Sequence, residues 1–202
     1  SARMMLEGPI AEGSTFMISG RRMYADLLVP MFADEKKTPT YYFYDLNGKA
    51  SFELSSADRL VVSAYGGRDA LNSRAVSEDV NFDIAWRNSV VGVRWLHILS
   101  PSLFTNLSVV YSGYGFSARV QTEPIAGDQD FYSSSEIADL ILRGDVQWFA
   151  HEQHTMKFGV EATSNFYDAA AESRIANQLQ SSIASAPSRA FNAAAYVQDE
   201  WN

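Results

Sequence analysis

Few side chains in this chain have the types and spacing that support chemistry. The three histidines, His97, His151 and His154, are the ordinary acid–base candidates, and each lies in or beside a predicted turn. The segment from His151 to His154 lacks the spacing of the helical zinc motif. No serine, histidine and acid show catalytic spacing, and the chain has no cysteine for a thiolate nucleophile or a cysteine-ligated metal. We therefore expect no enzymatic activity, no cofactor and no metal centre.

Three further segments match ligand or modification motifs only in part. Gly113-Tyr-Gly115-Phe-Ser-Ala118 has the spacing of a dinucleotide-binding turn, but β-branched residues and a proline follow it where a helix is required. Gly127-Asp-Gln-Asp130 has the alternate carboxylates of a calcium loop without its glycine and glutamate. Asn106-Leu-Ser108 fits a glycosylation acceptor but falls within a predicted strand. We interpret all three as structural.

Composition narrows the classes of partner. The 202 residues carry a formal charge of -8 with a pI near 4.8, so the chain has no basic surface for nucleic acid, which we exclude as a partner. No apolar run approaches the ~18 residues of a membrane-spanning helix.

The remaining charged and polar side chains are positioned by strands, because apolar and polar residues alternate with a period of two along most of the chain. From Tyr42 to Leu54 every second residue is apolar or small, while Asp45, Lys49 and Glu53 fall on the other face. The same pattern recurs elsewhere. We predict eight strands, at residues 15–24, 41–54, 60–68, 84–98, 103–117, 137–150, 156–167 and 190–202.

The predicted connections alternate between short and long. Residues 55–59, 100–102 and 151–155 form tight polar turns, whereas the four long connections contain 13 acidic and 6 basic residues. These long connections are residues 25–40, 69–83, 118–136 and 168–189. Such sidedness is typical of antiparallel outer-membrane barrels, in which short turns face the periplasm and long loops face outwards.

The sequence therefore predicts an all-β fold, an antiparallel up-and-down transmembrane β-barrel wall of about eight strands. Aromatic residues at both ends of the apolar face, such as Tyr42, Trp95 and Trp148, suit membrane interfaces. Two alternatives remain open: a passive porin-like barrel, and a soluble β-sandwich that binds carbohydrate through its aromatic residues. In the barrel, nine charged residues would face the lumen and pair with one another or contact a domain inside it: Asp45, Lys49, Glu53, Arg94, Asp139, Arg143, Asp145, Lys157 and Glu161.

Several segments resemble the barrel of TonB-dependent outer-membrane receptors. They include Gly8-Pro-Ile10 with residues 16–28, Tyr42-Phe-Tyr-Asp-Leu-Asn-Gly-Lys49, residues 58–69, Trp86–Trp95, His154–Glu161 and Ala195–Trp201. These segments are most similar to those of Bacteroidota-type receptors, which carry a carboxypeptidase-like domain ahead of the plug. No single motif carries the resemblance; the order and spacing of the segments do.

The resemblance implies a barrel of about 22 strands with a plugged lumen. Residues 1–202 would be a partial barrel domain, with the signal peptide, the plug and the remaining strands outside this chain. Ser1 to Gly8 would be the tail of an earlier strand that turns at Gly8-Pro-Ile10. The expected function is import, across the outer membrane, of a scarce or bulky nutrient such as an iron chelate, cobalamin or a glycan. The implied partners are outer-membrane lipid, the plug, the TonB complex through the missing N-terminal region, and a small-molecule or glycan ligand.

Overall fold

A computed structural model describes residues 1–32, 39–74, 80–122, 129–176 and 178–201. Within these ranges ten strands form one sheet, and one helix, α1 (Ala25–Phe32), follows the second strand. The strands are β1 (Ala2–Ala11), β2 (Ser14–Arg22), β3 (Thr40–Glu53), β4 (Asp58–Arg74), β5 (Val80–Ser100), β6 (Leu103–Thr122), β7 (Gln129–His151), β8 (His154–Ile175), β9 (Gln178–Ala184) and β10 (Ser188–Trp201).

The strand order follows the chain from β1 to β8, and every pairing is antiparallel. β10 pairs with residues 154–167 of β8, and β9 pairs with residues 170–175 of the same strand. The described part of the sheet is open, with β1 at one end and β10 at the other. The predicted up-and-down antiparallel wall is confirmed, with ten strands rather than about eight.

The first turn differs from its predicted place. Gly8, Pro9 and Ile10 lie inside β1, where Gly8 pairs with Phe16, and the chain reverses instead at Glu12 and Gly13. Gly13 has a φ of 67°, a left-handed conformation that costs a residue with a Cβ free energy. A proline is tolerated in β1 because a strand at the end of a sheet need not use every backbone N–H.

The strands are longer and the connections shorter than the alternation predicts. β4 continues to Arg74, β6 to Thr122 and β8 to Ile175, so much of the predicted long loops is strand. The helix α1 and the strand β9 also lie within predicted loops. Both faces of these outer extensions carry polar residues, so the hydrophobic period that reveals a half-buried strand is absent there.

One face of the sheet is apolar and uncovered. Leu140, Leu142 and Val160 lie on it and are 45%, 48% and 60% exposed, and no second layer packs against them within the described residues. Ala70 is the one buried apolar residue of the described chain. A soluble sandwich would bury this face under a second sheet, and the described residues form a single sheet.

The apolar face forms a band with polar limits. On β5, His97 at the short-turn limit and Arg87 at the opposite limit are ten residues apart. That separation is about 33 Å along a strand and about 25 Å along the normal at a tilt of ~40°, which is the height of the apolar band of membrane barrels. Between these limits the band carries no charged side chain on the described strands β2 to β8. On β10, at the end of the sheet, Arg189 is paired with Phe166 and lies one row inside the outer limit.

No described helix is long and apolar enough to cross a membrane.

Candidate lumen-facing site

All nine predicted lumen-facing residues lie on the face opposite the apolar band. Cross-strand register establishes this, because directly paired residues point to the same side of a sheet. Arg94 on β5 pairs with Ser108, which pairs with Arg143, which pairs with Glu161, so this row crosses four strands on the polar face. The shared face is observed, and its contact with a ligand or an inner domain stays a prediction.

The densest polar contacts join β6, β7, β8 and β10 around Asp145. Arg143 Nε lies 3.4 Å from an oxygen of Asp145, and Arg143 Nη1 lies 3.8 Å from Glu161 Oε2. The Tyr196 hydroxyl donates to Asp145 Oδ1. The Nδ2 group of Asn106 donates to the other carboxylate oxygen at 3.4 Å. Four strands are thus connected by one carboxylate and its neighbours.

A glycine makes the Tyr196 contact possible. Tyr196 on β10, Gly159 on β8 and Asp145 on β7 are successive neighbours in one cross-strand row. A Cβ on Gly159 would lie 2.2 Å from the Tyr196 ring and 2.7 Å from Asp145 Oδ1. The tyrosine therefore crosses an entire strand above a residue that has no side chain.

A second polar group lies farther from the short turns on the same face. Asn165 Nδ2 donates to Asp139 Oδ1 at 2.6 Å, and Asn192 Nδ2 donates to Asn165 Oδ1 at 2.8 Å. The three side chains form a hydrogen-bonded chain from β7 through β8 to β10. Amide groups placed in this way can donate to and accept from a polar partner in the lumen.

A third group joins β2, β3 and β4. Arg21 and Asp45 are directly paired and form an ion pair of 2.7 Å, while the Arg21 guanidinium lies 4.7 Å from the centre of the Phe43 ring. Beyond the outer limit of the band, the Tyr41 hydroxyl donates to Asp69 at 2.6 Å. This hydrogen bond raises the pKa of Tyr41 to about 12, so the hydroxyl stays a donor at physiological pH.

The remaining predicted residues are less connected. Lys157 lies 3.4 Å from Glu200, and Glu53 lies 3.9 Å from Arg59. Lys49 and Arg94 form no ion pair with any residue of the described ranges. Exposed ion pairs contribute little stability, so these side chains remain available to exchange partners.

The histidines lie at the short-turn end. His154 and His97 sit at the limit of the apolar face, and each is paired with an acid: His97 Nδ1 lies 2.7 Å from Asp58, and His154 Nδ1 lies 2.8 Å from Asp199. The acidic partner of His97 follows only from the register between β4 and β5, which places Asp58 directly opposite it. The described residues contain no group of three or more potential metal ligands.

The partly matched motifs lie in ordinary strand where they are described. Residues 113–118 and 106–108 both belong to β6, so no helix follows the glycines. Gly127 and Asp128 of the calcium-like segment lie outside the described residues.

The sequence predicts nine charged members of the polar face but misses several of their partners. Tyr196, Asn165 and Asn192 complete the networks, and Arg21 completes the pair with Asp45. The alternation assigns each of these residues to the polar face. The partner of each residue is known only from the cross-strand register. The assembled face is a set of half-exposed ion pairs and amides suited to a hydrated lumen, without a nucleophile and general base in contact among the described residues.

Comparisons with known proteins support the architecture. No protein-family model matches the chain, and no curated protein matches it. Among solved structures, the ferric yersiniabactin uptake receptor FyuA of Yersinia pestis has a TM-score of 0.66 and 8% identity, over 98% of this chain and 34% of that one. The outer membrane transporter YddB of Escherichia coli has a TM-score of 0.64 and 10% identity, over 98% and 31% of the two chains.

A third structure, FpvA of P. aeruginosa in complex with heterologous pyoverdine and iron, has a TM-score of 0.63 and 9% identity, over 99% of this chain and 32% of that one. The chain thus spans about a third of the length of the structures it resembles. At these identities the likeness shows the fold, which is that of a segment of an outer-membrane barrel wall. FyuA is an uptake receptor, YddB is an outer-membrane transporter, and FpvA binds an iron-containing pyoverdine.

Proposed function

We propose that this chain is part of the wall of a TonB-dependent receptor in the cell outer membrane, which imports a scarce or bulky nutrient. The observation that carries the proposal is the uncovered apolar band, ten residues long on β5 from Arg87 to His97, with a face of paired charges on the opposite side of the sheet. Such an arrangement is stable when lipid covers one side and water fills the other. The structural likeness to FyuA, YddB and FpvA supports a wall that is a segment of an outer-membrane barrel.

In the proposed mechanism the wall is a scaffold. Loops beyond the outer limit of the band and a plug inside the lumen bind the nutrient, and the TonB complex pulls the plug into a state that binds it more weakly. Residues 1–202 supply a partial barrel domain, and further strands, the plug, the signal peptide and the TonB-contacting region belong to the remainder of the protein. The nutrient is an iron chelate, cobalamin or a glycan, and the resemblance in sequence favours the Bacteroidota type with a carboxypeptidase-like domain.

The nine charged residues of the polar face are proposed to hold the plug. Networks such as the one around Asp145 present hydrogen-bond donors and acceptors on rigid strands. Because most of these charges are already paired within the wall, their exchange with plug residues would change the free energy little. This suits a plug that must rearrange without unfolding the barrel.

Energy dependence tests the proposal. The gene for the full-length protein would be deleted, and uptake and growth would be compared on candidate iron chelates, cobalamin and glycans as sole sources. We expect the loss of one substrate class, restoration by the intact gene, and no restoration when the TonB complex is absent or the proton-motive force is collapsed. Uptake that continues without TonB would refute active transport and favour the passive porin-like barrel.

A further inference from the structure

A row of charged side chains crosses the outward face of the sheet at the outer limit of the apolar band. Successive direct neighbours on β2 to β8 make up this row: Arg22, Tyr44, Arg68, Arg87, Gly115, Glu136 and Asp168. Two residues nearer the short turns, strands β4 to β8 carry only uncharged side chains, among them Ser89 and Phe166, and the one charge of that row is Arg189 on the end strand β10. The row therefore lies where hydrocarbon gives way to polar headgroups.

Two arginines in this row face one another. Arg68 and Arg87 are directly opposite across β4 and β5, and like charges in that position destabilise a sheet. Arg68 is exposed and forms no ion pair with the described residues. An anion between the two guanidinium groups would remove this repulsion.

Arg87 reaches one acid by crossing a strand. It passes over Gly115, where a Cβ would lie 2.7 Å from Arg87 Nε, and contacts Glu136 on β7. The side chains of this pair are 68% and 56% exposed, so the pair contributes little free energy and can open to admit another anion.

A groove of about 300 Å³ lies beside these side chains. Its polar lining includes Arg68, Arg87, Glu136 and Asp168, with the Tyr132 ring also in the wall. The two acids stand on directly paired positions of β7 and β8. They repel an anion from their own side of the groove and confine it to the side of the arginines.

We propose that Arg68 and Arg87 bind the phosphate of a lipid headgroup in the leaflet at the long-connection end of the wall. The planar guanidinium group donates two parallel hydrogen bonds to phosphate, and the arginines stand at headgroup depth directly above the apolar band. Glu136 is a competitor that holds Arg87 when the headgroup is absent. This inference rests on the proposed membrane location of the wall.

The test uses the full-length protein in phosphatidylcholine bilayers, with spin-labelled phosphatidic acid as the probe and spin-labelled phosphatidylcholine as the reference. Electron spin resonance measures how strongly each probe associates with the protein surface. We expect R68Q and R87Q each to lower the preference for phosphatidic acid about fivefold, which corresponds to about 1 kcal/mol for one basic residue at a charged surface. We expect E136Q to raise the preference, because it releases Arg87.

The matched control is R94Q. Arg94 lies on β5 as Arg87 does, but its side chain points to the polar face, so this variant removes one positive charge without touching the lipid surface. An unchanged preference in R68Q and R87Q, an equal fall in R94Q, or a fall in E136Q would each overturn the proposal. Displacement of the probe by inorganic phosphate alone would show a free-anion site and would overturn the assignment to lipid.

Failure of the membrane proposal itself gives a different result. In that case the full-length protein would not enter bilayers, and neither probe would be immobilised at its surface. Circular dichroism of each variant in bilayers confirms that the sheet is retained, so that a fall in preference reports the headgroup contact rather than unfolding.

Discussion

Placing an arginine at the middle of the apolar band tests the orientation of the whole wall. Leu142 lies on β7 near the middle of the band, between Val146 in the row of His97 and Glu136 in the row of Arg87, and it is 48% exposed. If lipid covers this side, L142R places a cation at the bilayer midplane. The expected cost is about 2 to 4 kcal/mol in the free energy of unfolding.

The neighbouring residue provides the control. Ile141 lies on the opposite face, between Val110 and Thr163, so I141R places the same charge in the lumen. A solvated lumen imposes little cost on that charge, and we expect a change within about 0.5 kcal/mol, the range of ordinary surface substitutions. The two variants introduce the same side chain at adjacent positions of β7, so they differ mainly in the face that carries the charge.

The assay is equilibrium unfolding of the full-length protein in lipid vesicles by urea, followed by tryptophan fluorescence. A difference of 2 to 4 kcal/mol corresponds to a change of roughly 30-fold to several-hundred-fold in the unfolding equilibrium constant. Equal costs for L142R and I141R, or a larger cost for I141R, would show that the apolar band does not face hydrocarbon. The membrane interpretation would then be refuted.

Three further predictions concern local contacts. We expect Gly159→Ala to break the hydrogen bond from Tyr196 to Asp145 and to lower the free energy of unfolding by about 1 to 3 kcal/mol. Adding Y196F to Gly159→Ala should lower the free energy of unfolding almost no further. Fully additive losses in the double variant would contradict the crossing geometry. The raised pKa of Tyr41, about 12 against an ordinary value near 10, means that its hydrogen bond stabilises the fold below about pH 10 and is lost as the pH rises through 12. Difference spectra of the wild type and Y41F check this, and ionisation of that tyrosine near pH 10 would argue against the contact. Gly13→Ala should destabilise by about 1 to 2 kcal/mol because of its φ of 67°, as measured by urea unfolding, whereas an unchanged midpoint would place the turn elsewhere.

Glycines at crossing points connect distant strands on both faces of the wall. Gly159 lets Tyr196 reach Asp145 on the polar face, and Gly115 lets Arg87 reach Glu136 on the outward face. In each case two polar groups are separated by a strand that contributes no side chain. The alternation of the sequence cannot reveal such pairs, because each glycine is counted only as a small residue.

The sequence by itself determined the class of the fold and the face on which each residue lies. A strand has a side-chain period of two, so the alternation that assigns Leu140 and Leu142 to one face and Asp139 and Arg143 to the other follows directly from the order of residues. The same pattern predicted the antiparallel wall and the polar face that the structure contains.

Only the tertiary structure decided which residues meet and where the strands end. The partnership of Asp58 with His97, the turn at Gly13 and the extension of β8 to Ile175 depend on cross-strand register and on continued backbone pairing. Backbone hydrogen bonds do not depend on side-chain type, so a strand can continue past the apolar band after its hydrophobic period has disappeared. The register that opposes Arg68 to Arg87 is set in the same way, by the lengths of turns rather than by the two arginines themselves.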